Sequence, residues 1–178
     1  GNQEFRAVDG VLYDLYRSVL ISYPGAKAGH FTVPDTVTVL NNNCFSDADL
    51  LTSVDLPEGL YSIGDNAFAD CDRLQSIRIP GSVERYGYGI FLGCISLNDV
   101  TLPSGLTCIP DAMFRGCTSL ESISIPDSVT EIRSYAFYGC GLTSLELPDG
   151  LIQIRELAFE NCHSLTQLTI PASVTSIG

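Results

Sequence analysis

The sequence predicts an α/β solenoid: a right-handed coil of short parallel strands with one short helical or 3-10 turn per coil, plus an antiparallel β cap at its amino-terminal end. Three observations carry this. Proline recurs at Pro34, Pro57, Pro80, Pro103, Pro126, Pro148 and Pro171, and phenylalanine at Phe45, Phe68, Phe91, Phe114, Phe137 and Phe159. Both series advance by 23 residues with one step of 22, and comparison of Cys140-Gly-Leu142 with Cys117-Thr-Ser-Leu120 places the missing residue in a turn. One apolar pattern, Leu-x-x-Ile-x-Ile-Pro-x-Ser-Val-x-x-Ile-Gly-x-x-Ala-Phe-x-Gly-Cys, keeps its frame over residues 31–178. A fixed period of this length marks stacked repeats, none of which can bury its apolar face alone.

Within a unit, Ile77-Arg-Ile79 and Ile123-Ser-Ile125 alternate apolar with polar and end at proline, which predicts a half-buried strand. A turn at Pro126-Asp-Ser128 leads to a second short strand within residues 129–132. Tyr135-Ala-Phe-Tyr138 has room for one helical turn, closed by Gly139 in the left-handed conformation. Asp47, Asp70, Gly93, Gly116 and Asn161 share that position, and all are residue types that tolerate positive φ. Stacking coils about 4.8 Å apart lines Phe on Phe and Ile on Ile. Each such burial contributes roughly 1.5–3 kcal/mol, so Phe114 is expected to be a central ladder residue.

Residues 1–30 fall outside the period. Asp9-Gly10 between two apolar segments, followed by Val19-Leu-Ile-Ser22, predicts a small antiparallel meander. Its expected role is to cover the strand edges and core side chains that a solenoid end exposes. The chain thus divides into a cap (1–30) and a solenoid of about six and a half coils (31–178). His30 is expected on an exposed loop between them. Tyr86, Ile90, Pro110 and Met113 depart from the pattern in coils three and four and read as local repacking. The last coil lacks its Ala-Phe segment, so Leu165, Leu168, Ile170, Val174 and Ile177 would have stacking neighbours on one side only. Self-association through that open end is expected.

A formal charge of −12, with Lys27 the only lysine, argues against binding nucleic acid or an anionic bilayer by general electrostatics, and would suit a basic partner. No apolar run approaches the roughly 18 residues of a membrane span, so no insertion is expected. Cys71, Cys94, Cys117, Cys140 and Cys162 occupy one repeat position and read as a buried ladder of free thiols. Paired metal ligands of the C-x-x-C kind are absent. Cys44 should also be buried, whereas Cys108, in a polar slot, is the expected accessible thiol. Two histidines, no nucleophile elbow and no phosphate loop leave no catalytic residues and no cofactor to expect.

The readable candidates are therefore binding positions. The outward ladders of the first sheet, among them Ser53, Ser76, Asp99, Ser122 and Ser144, are small and polar and offer no aromatic anchor. Tyr88, Leu92, Tyr135, Tyr138 and Leu157 instead fall on the solvent side of the short helical turns, as a candidate partner patch. Asp47 and Asp49 align with Asp70 and Asp72 of the next coil, which would bring four carboxylates within reach of one hard cation such as calcium.

The repeat Leu-x-x-Ile-x-Ile-Pro-x-Ser-Val-x-x-Ile-Gly-x-x-Ala-Phe-x-Gly-Cys resembles that of the BspA-type bacterial leucine-rich repeat family, over residues 31–178. Asp9-Gly-Val-Leu-Tyr-Asp14 with Val19-Leu-Ile-Ser-Tyr-Pro24 is similar to the segment often found ahead of such coils. The resemblance implies a leucine-rich repeat solenoid on a secreted or cell-surface bacterial protein whose signal sequence has been removed. It further implies adhesion to a host matrix or cell-surface protein or glycoprotein, with no catalytic residues to carry over. An envelope scaffold or spacer without its own ligand is the alternative that the same residues satisfy.

Overall fold

Asp9 and Gly10 both adopt positive φ (48° and 83°), which is what a two-residue hairpin turn requires if its twist is to match the flanking strands. They join β1 (Phe5–Val8) to β2 (Val11–Asp14) in antiparallel register, within a computed structural model that describes residues 4–178. The Asp14 carboxylate then shapes the next turn by accepting hydrogen bonds from the Ser18 and Val19 N–H groups at 2.7 and 2.8 Å. Desolvation raises its pKa, but these bonds and one from the Ser18 hydroxyl outweigh that and hold it below the ordinary value. β3 (Val19–Ser22) returns antiparallel to β2.

The coils that follow contribute alternately to two sides. The first side receives β4 (Gly29–Thr32) and the second β5 (Val39–Leu40), which pairs parallel with β3. The alternation continues with β6 (Leu51–Asp55), β7 (Ser62–Ile63), β8 (Ser76–Arg78), β9 (Arg85–Tyr86), β10 (Asp99–Thr101) and β11 (Cys108–Ile109). Only the second side is completed beyond this, by β12 (Glu131–Ile132), β13 (Gln153–Ile154) and β14 (Ser176–Ile177). The first sheet has the order β10-β8-β6-β4, and the second side holds two sheets, β1-β2-β3-β5-β7-β9 and β11-β12-β13-β14. His30 lies in β4 opposite Ser53, not on a loop, because the strand ahead of Pro34 begins before Phe31 and pairs with β6 from Gly29 onward.

No helix forms among the described residues, so the expected helical turn gives way to an all-β solenoid. The reason is a second column of left-handed residues. Asn43, Asn66, Gly89, Ala112, Tyr135 and Leu157 have positive φ, as do Asp47, Asp70, Gly93, Gly116, Gly139 and Asn161 four residues later. A helix cannot run through a left-handed residue every fourth position. Alternate N–H groups instead reach forward to the next coil: Asn66 to the Tyr88 carbonyl at 2.8 Å, Phe68 to Ile90 at 2.9 Å and Asp70 to Leu92 at 2.7 Å. The N–H groups between them close four-residue turns, as Ala69 does onto Asn66. This hydrogen-bonded row of turns runs without interruption from Asn43 to Glu160.

Beneath the row the phenylalanines stack, with centroids 4.8 Å apart for Phe45–Phe68, rising to 5.7 Å for Phe91–Phe114 and 5.5 Å for Phe114–Phe137. The cysteines form the buried ladder beside them. Each thiol donates to the phenylalanine carbonyl of the coil before it, Cys94 to Phe68 at 3.0 Å and Cys117 to Phe91 at 3.2 Å, and burial pushes the Cys117 pKa far up. All seven cysteines are free.

The turn after each proline alternates with a period of two coils. Pro-x-Ser-Val stands at 80, 126 and 171, and Pro-x-Gly-Leu at 57, 103 and 148. The Ser82, Ser128 and Ser173 hydroxyls donate to the carbonyls of Leu60, Leu106 and Leu151 in the preceding coil, at 2.7, 2.6 and 2.6 Å. Larger Leu and smaller Val thereby alternate along the stack, which suits interdigitated packing.

The stack is not uniform. Between coils three and four the second side breaks, where Tyr86 replaces isoleucine and Pro110 takes the place of Gly87. Gly87 donates to Ile63 and Arg133 to Ile109, but proline has no N–H to give Tyr86. The enclosed Tyr86 hydroxyl finds no partner, and burial pushes its pKa up to about 12. These substitutions are thus a fault in the sheet rather than silent repacking. On the first side, residues 123–125 form no strand, although Ile125 stays buried. The turn row and β11 to β14 hold these coils along two edges.

Phe114→Ala is expected to lower stability by about 3–5 kcal/mol in urea titration, since it removes a fully buried ring from the middle of the ladder. A second expectation concerns Glu131, whose carboxylate takes Arg133 at 3.1 Å and Arg155 at 2.5 Å. Desolvation raises its pKa, and the two arginines more than reverse this, leaving it below the ordinary 4.5. The pair's contribution is therefore present above pH 4.5 and lost as pH falls through the lowered folded value. Glu131→Gln should cost up to about 1 kcal/mol at pH 7, with the gap closing in acid.

Candidate functional site

Leu92, Arg115 and Tyr138 occupy one repeat position, immediately before the left-handed glycines Gly93, Gly116 and Gly139. Their side chains therefore emerge side by side from the turn row, and the glycines leave the floor between them without Cβ atoms. Together these six residues line a shallow, mainly apolar depression of about 410 Å³. The Arg115 guanidinium lies over both tyrosines, 5.4 Å from the Tyr135 ring centre and 5.0 Å from that of Tyr138. The two rings are 5.8 Å apart and tilted by 52°. Asn161 fixes the far side of Tyr138 by donating its side-chain N–H to the hydroxyl at 2.6 Å. A guanidinium held between aromatic faces is worth about 0.5–1 kcal/mol per ring at an exposed site.

Of the five patch residues expected from sequence, Leu92, Tyr135 and Tyr138 are brought together by Arg115, and both tyrosines are half-buried. Tyr88 is 43% exposed, with no ring contact to the other two. Leu157 is 38% exposed and lines a separate apolar depression with Ile154, Phe159 and Ile177. Tyr135 and Leu157 also sit at positive φ (60° and 58°), as Ala112 does (52°), which costs a side-chain-bearing residue about 1–2 kcal/mol where asparagine or glycine serves at Asn43, Asn66 and Gly89. Arg115 escaped the sequence reading because it is the polar member of an otherwise apolar and aromatic set. Its alignment with Leu92 and Tyr138 was the available clue.

The other candidates resolve differently. Asp70 is pushed above the ordinary carboxylate range by desolvation and by the charges of Asp47, Asp72 and Asp49. Even so, among the described residues no three His, Cys, Asp or Glu side chains are grouped so as to hold a metal ion. Asp47 and Asp70 instead fill left-handed turn positions. Cys108 is half-buried, and desolvation raises its pKa, which suppresses thiolate character and makes it a poor nucleophile. His30 Nδ1 lies 2.9 Å from Ser53 Oγ, and Nε2 lies 3.1 Å from Asp55 Oδ2. This serine–histidine–carboxylate string lies on an open face at the edge of the sheet, its His and Asp 50% and 69% exposed. Ile170 and Ile177 are exposed and Leu165, Leu168 and Val174 half-buried.

Comparison with known proteins agrees with this architecture. The pattern described as BspA type leucine rich repeat region matches residues 22–140 and 109–178, in six copies. The chain belongs to the BspA-type leucine-rich repeat family. Its fold is close to that of a leucine-rich repeat protein from Eubacterium ventriosum, at 30% identity and a TM-score of 0.90, covering 98% of this chain and 48% of that one. A leucine-rich repeat protein of T. pallidum is 30% identical with a TM-score of 0.82, covering 90% and 77%. A leucine rich cell surface protein of Faecalibacterium prausnitzii is 30% identical with a TM-score of 0.61, covering 93% and 39%. This BspA-type chain thus spans about half the length, or less, of two of these relatives. No curated protein matches it.

The glycine floor yields a paired expectation. At Gly139 (φ 67°) an added Cβ meets nothing within 4 Å, so Gly139→Ala should cost only the left-handed backbone penalty, about 1–2 kcal/mol. At Gly141, in the shortened turn, the Cβ would overlap the Thr118 carbonyl, so Gly141→Ala should cost more, read as the larger fall in urea midpoint.

Proposed function

We propose that this chain is a non-catalytic binding module of a secreted or surface-attached bacterial protein, and that it engages a protein or glycoprotein partner through the turn row around Leu92, Arg115, Tyr135 and Tyr138. The observation that carries this reading is the Arg115–tyrosine cluster beside an apolar depression. Tyrosine and arginine are the residue types that dominate binding hot spots, and here they rest on an uninterrupted hydrogen-bonded frame. Left-handed Tyr135 adds support, because backbone strain is retained where a side chain has work to do. The cell-surface description of the Faecalibacterium prausnitzii relative supports the location, and no helix among the described residues is long and apolar enough to cross a membrane.

In the same reading, residues 1–30 act as the amino-terminal cap of a solenoid formed by 31–178. The meander adds its strands to the edge of the second side and sends Val11, Tyr13 and Leu20 into the core.

The test is binding of the purified chain to an array of host matrix proteins and glycoproteins, alongside Tyr138→Ala and Leu92→Lys. Binding that falls at least about tenfold in both variants, with melting temperature changed by no more than a few degrees, is the expected result. Binding that both variants leave intact would move the interface elsewhere. Absence of binding across the array would favour the envelope scaffold.

A further inference from the structure

The chemistry of the turn row narrows the kind of partner it fits. Arg78 is paired with Glu58, and Arg133 and Arg155 both with Glu131. Arg115, like Arg17, Arg73 and Arg85, has no carboxylate within ion-pair distance among the described residues, but it alone of these lies over two tyrosine rings beside an apolar depression. Its guanidinium carbon lies over the rings of Tyr135 and Tyr138, and among the described residues no acceptor takes its N–H groups. Stacking of this kind leaves the in-plane donors of a guanidinium free, and their fork matches the two oxygens of a carboxylate. The rings also restrict the side chain, so less freedom is lost when an anion binds. Beside the donors lies an apolar floor formed by Leu92 and the glycines Gly93, Gly116 and Gly139.

We propose that this seat takes one carboxylate side chain with an adjacent apolar side chain, presented by a protein partner that is basic overall; the proposal rests on the turn row being the binding face. Charge complementarity sets both halves. The free guanidinium selects the carboxylate locally, while the net charge of −12, with Asp47 and Asp70 further along the same row, repels a partner that is acidic throughout.

The experiment is an NMR titration of the full chain with two blocked peptides, acetyl-Lys-Leu-Glu-Lys-amide and its Gln counterpart, and with inorganic phosphate at matched ionic strength. The Arg115 Nε–H and Tyr138 ring signals should move with the Glu peptide. Its affinity should exceed that of the Gln peptide by about three- to fivefold, the range of an exposed ion pair, and Arg115→Gln should abolish the preference. Equal response to both peptides would overturn the carboxylate assignment while leaving the turn row as a binding face. So would a preference that survives Arg115→Gln, or phosphate moving the same signals as strongly as the Glu peptide. If Arg115 and Tyr138 respond to neither peptide, the inference falls; the matrix-protein array with Tyr138→Ala then decides separately whether the face binds at all.

Discussion

The hydrogen bond from every second N–H of the turn row to the next coil is the contact on which the rest of the structure depends. It sets the spacing between coils where the ring ladder runs, and so lets Phe45 to Phe159 stack with interplanar angles of 20° or less. Maintaining it requires left-handed residues at two fixed places per coil, which in turn requires Asn, Asp or Gly there unless something compensates. The same geometry turns the side chains before Gly93, Gly116 and Gly139 outward in a line. Frame and candidate site are therefore products of one constraint.

Elsewhere the pairing is discontinuous. Tyr86 and Pro110 part the second side between coils three and four, where the ring spacing also reaches 5.7 Å, and the first side opens after β10. The two interruptions fall on different sides and at different coils, so each junction remains hydrogen-bonded along the turn row. A site built on that row inherits its continuity, whereas a site on the first sheet face would straddle the place where the strands separate.

The period, the inward ladders, the free buried thiols and one of the two left-handed columns were all legible in the sequence, because each repeats a residue type at a fixed interval. What was not legible involves neighbours one coil away. Tyr135-Ala-Phe-Tyr138 has local spacing compatible with a helical turn, and it is ruled out by the left-handed Tyr135 and the inter-coil bonds, neither visible in a single unit. Ile123-Ser-Ile125 has the same alternation as the strand at Ile77, yet it forms no strand, and nothing in its own letters distinguishes the two. Arg115 was overlooked because a charge among apolar residues reads as solvated until the rings are seen to lie against it. The alternation of Ser-Val with Gly-Leu was present in the letters, but averaging the units into a single consensus erased it.

That alternation gives the solenoid a parity. Ser82, Ser128 and Ser173 each reach back to a coil whose corresponding residue is glycine. Inserting or deleting one coil would set serine on serine, or glycine on glycine, at the junction, and would place Leu on Leu or Val on Val beneath it. Adding or removing two coils leaves every junction as it was. The pair of coils, rather than the single coil, is therefore the unit that can be added or removed with every junction kept.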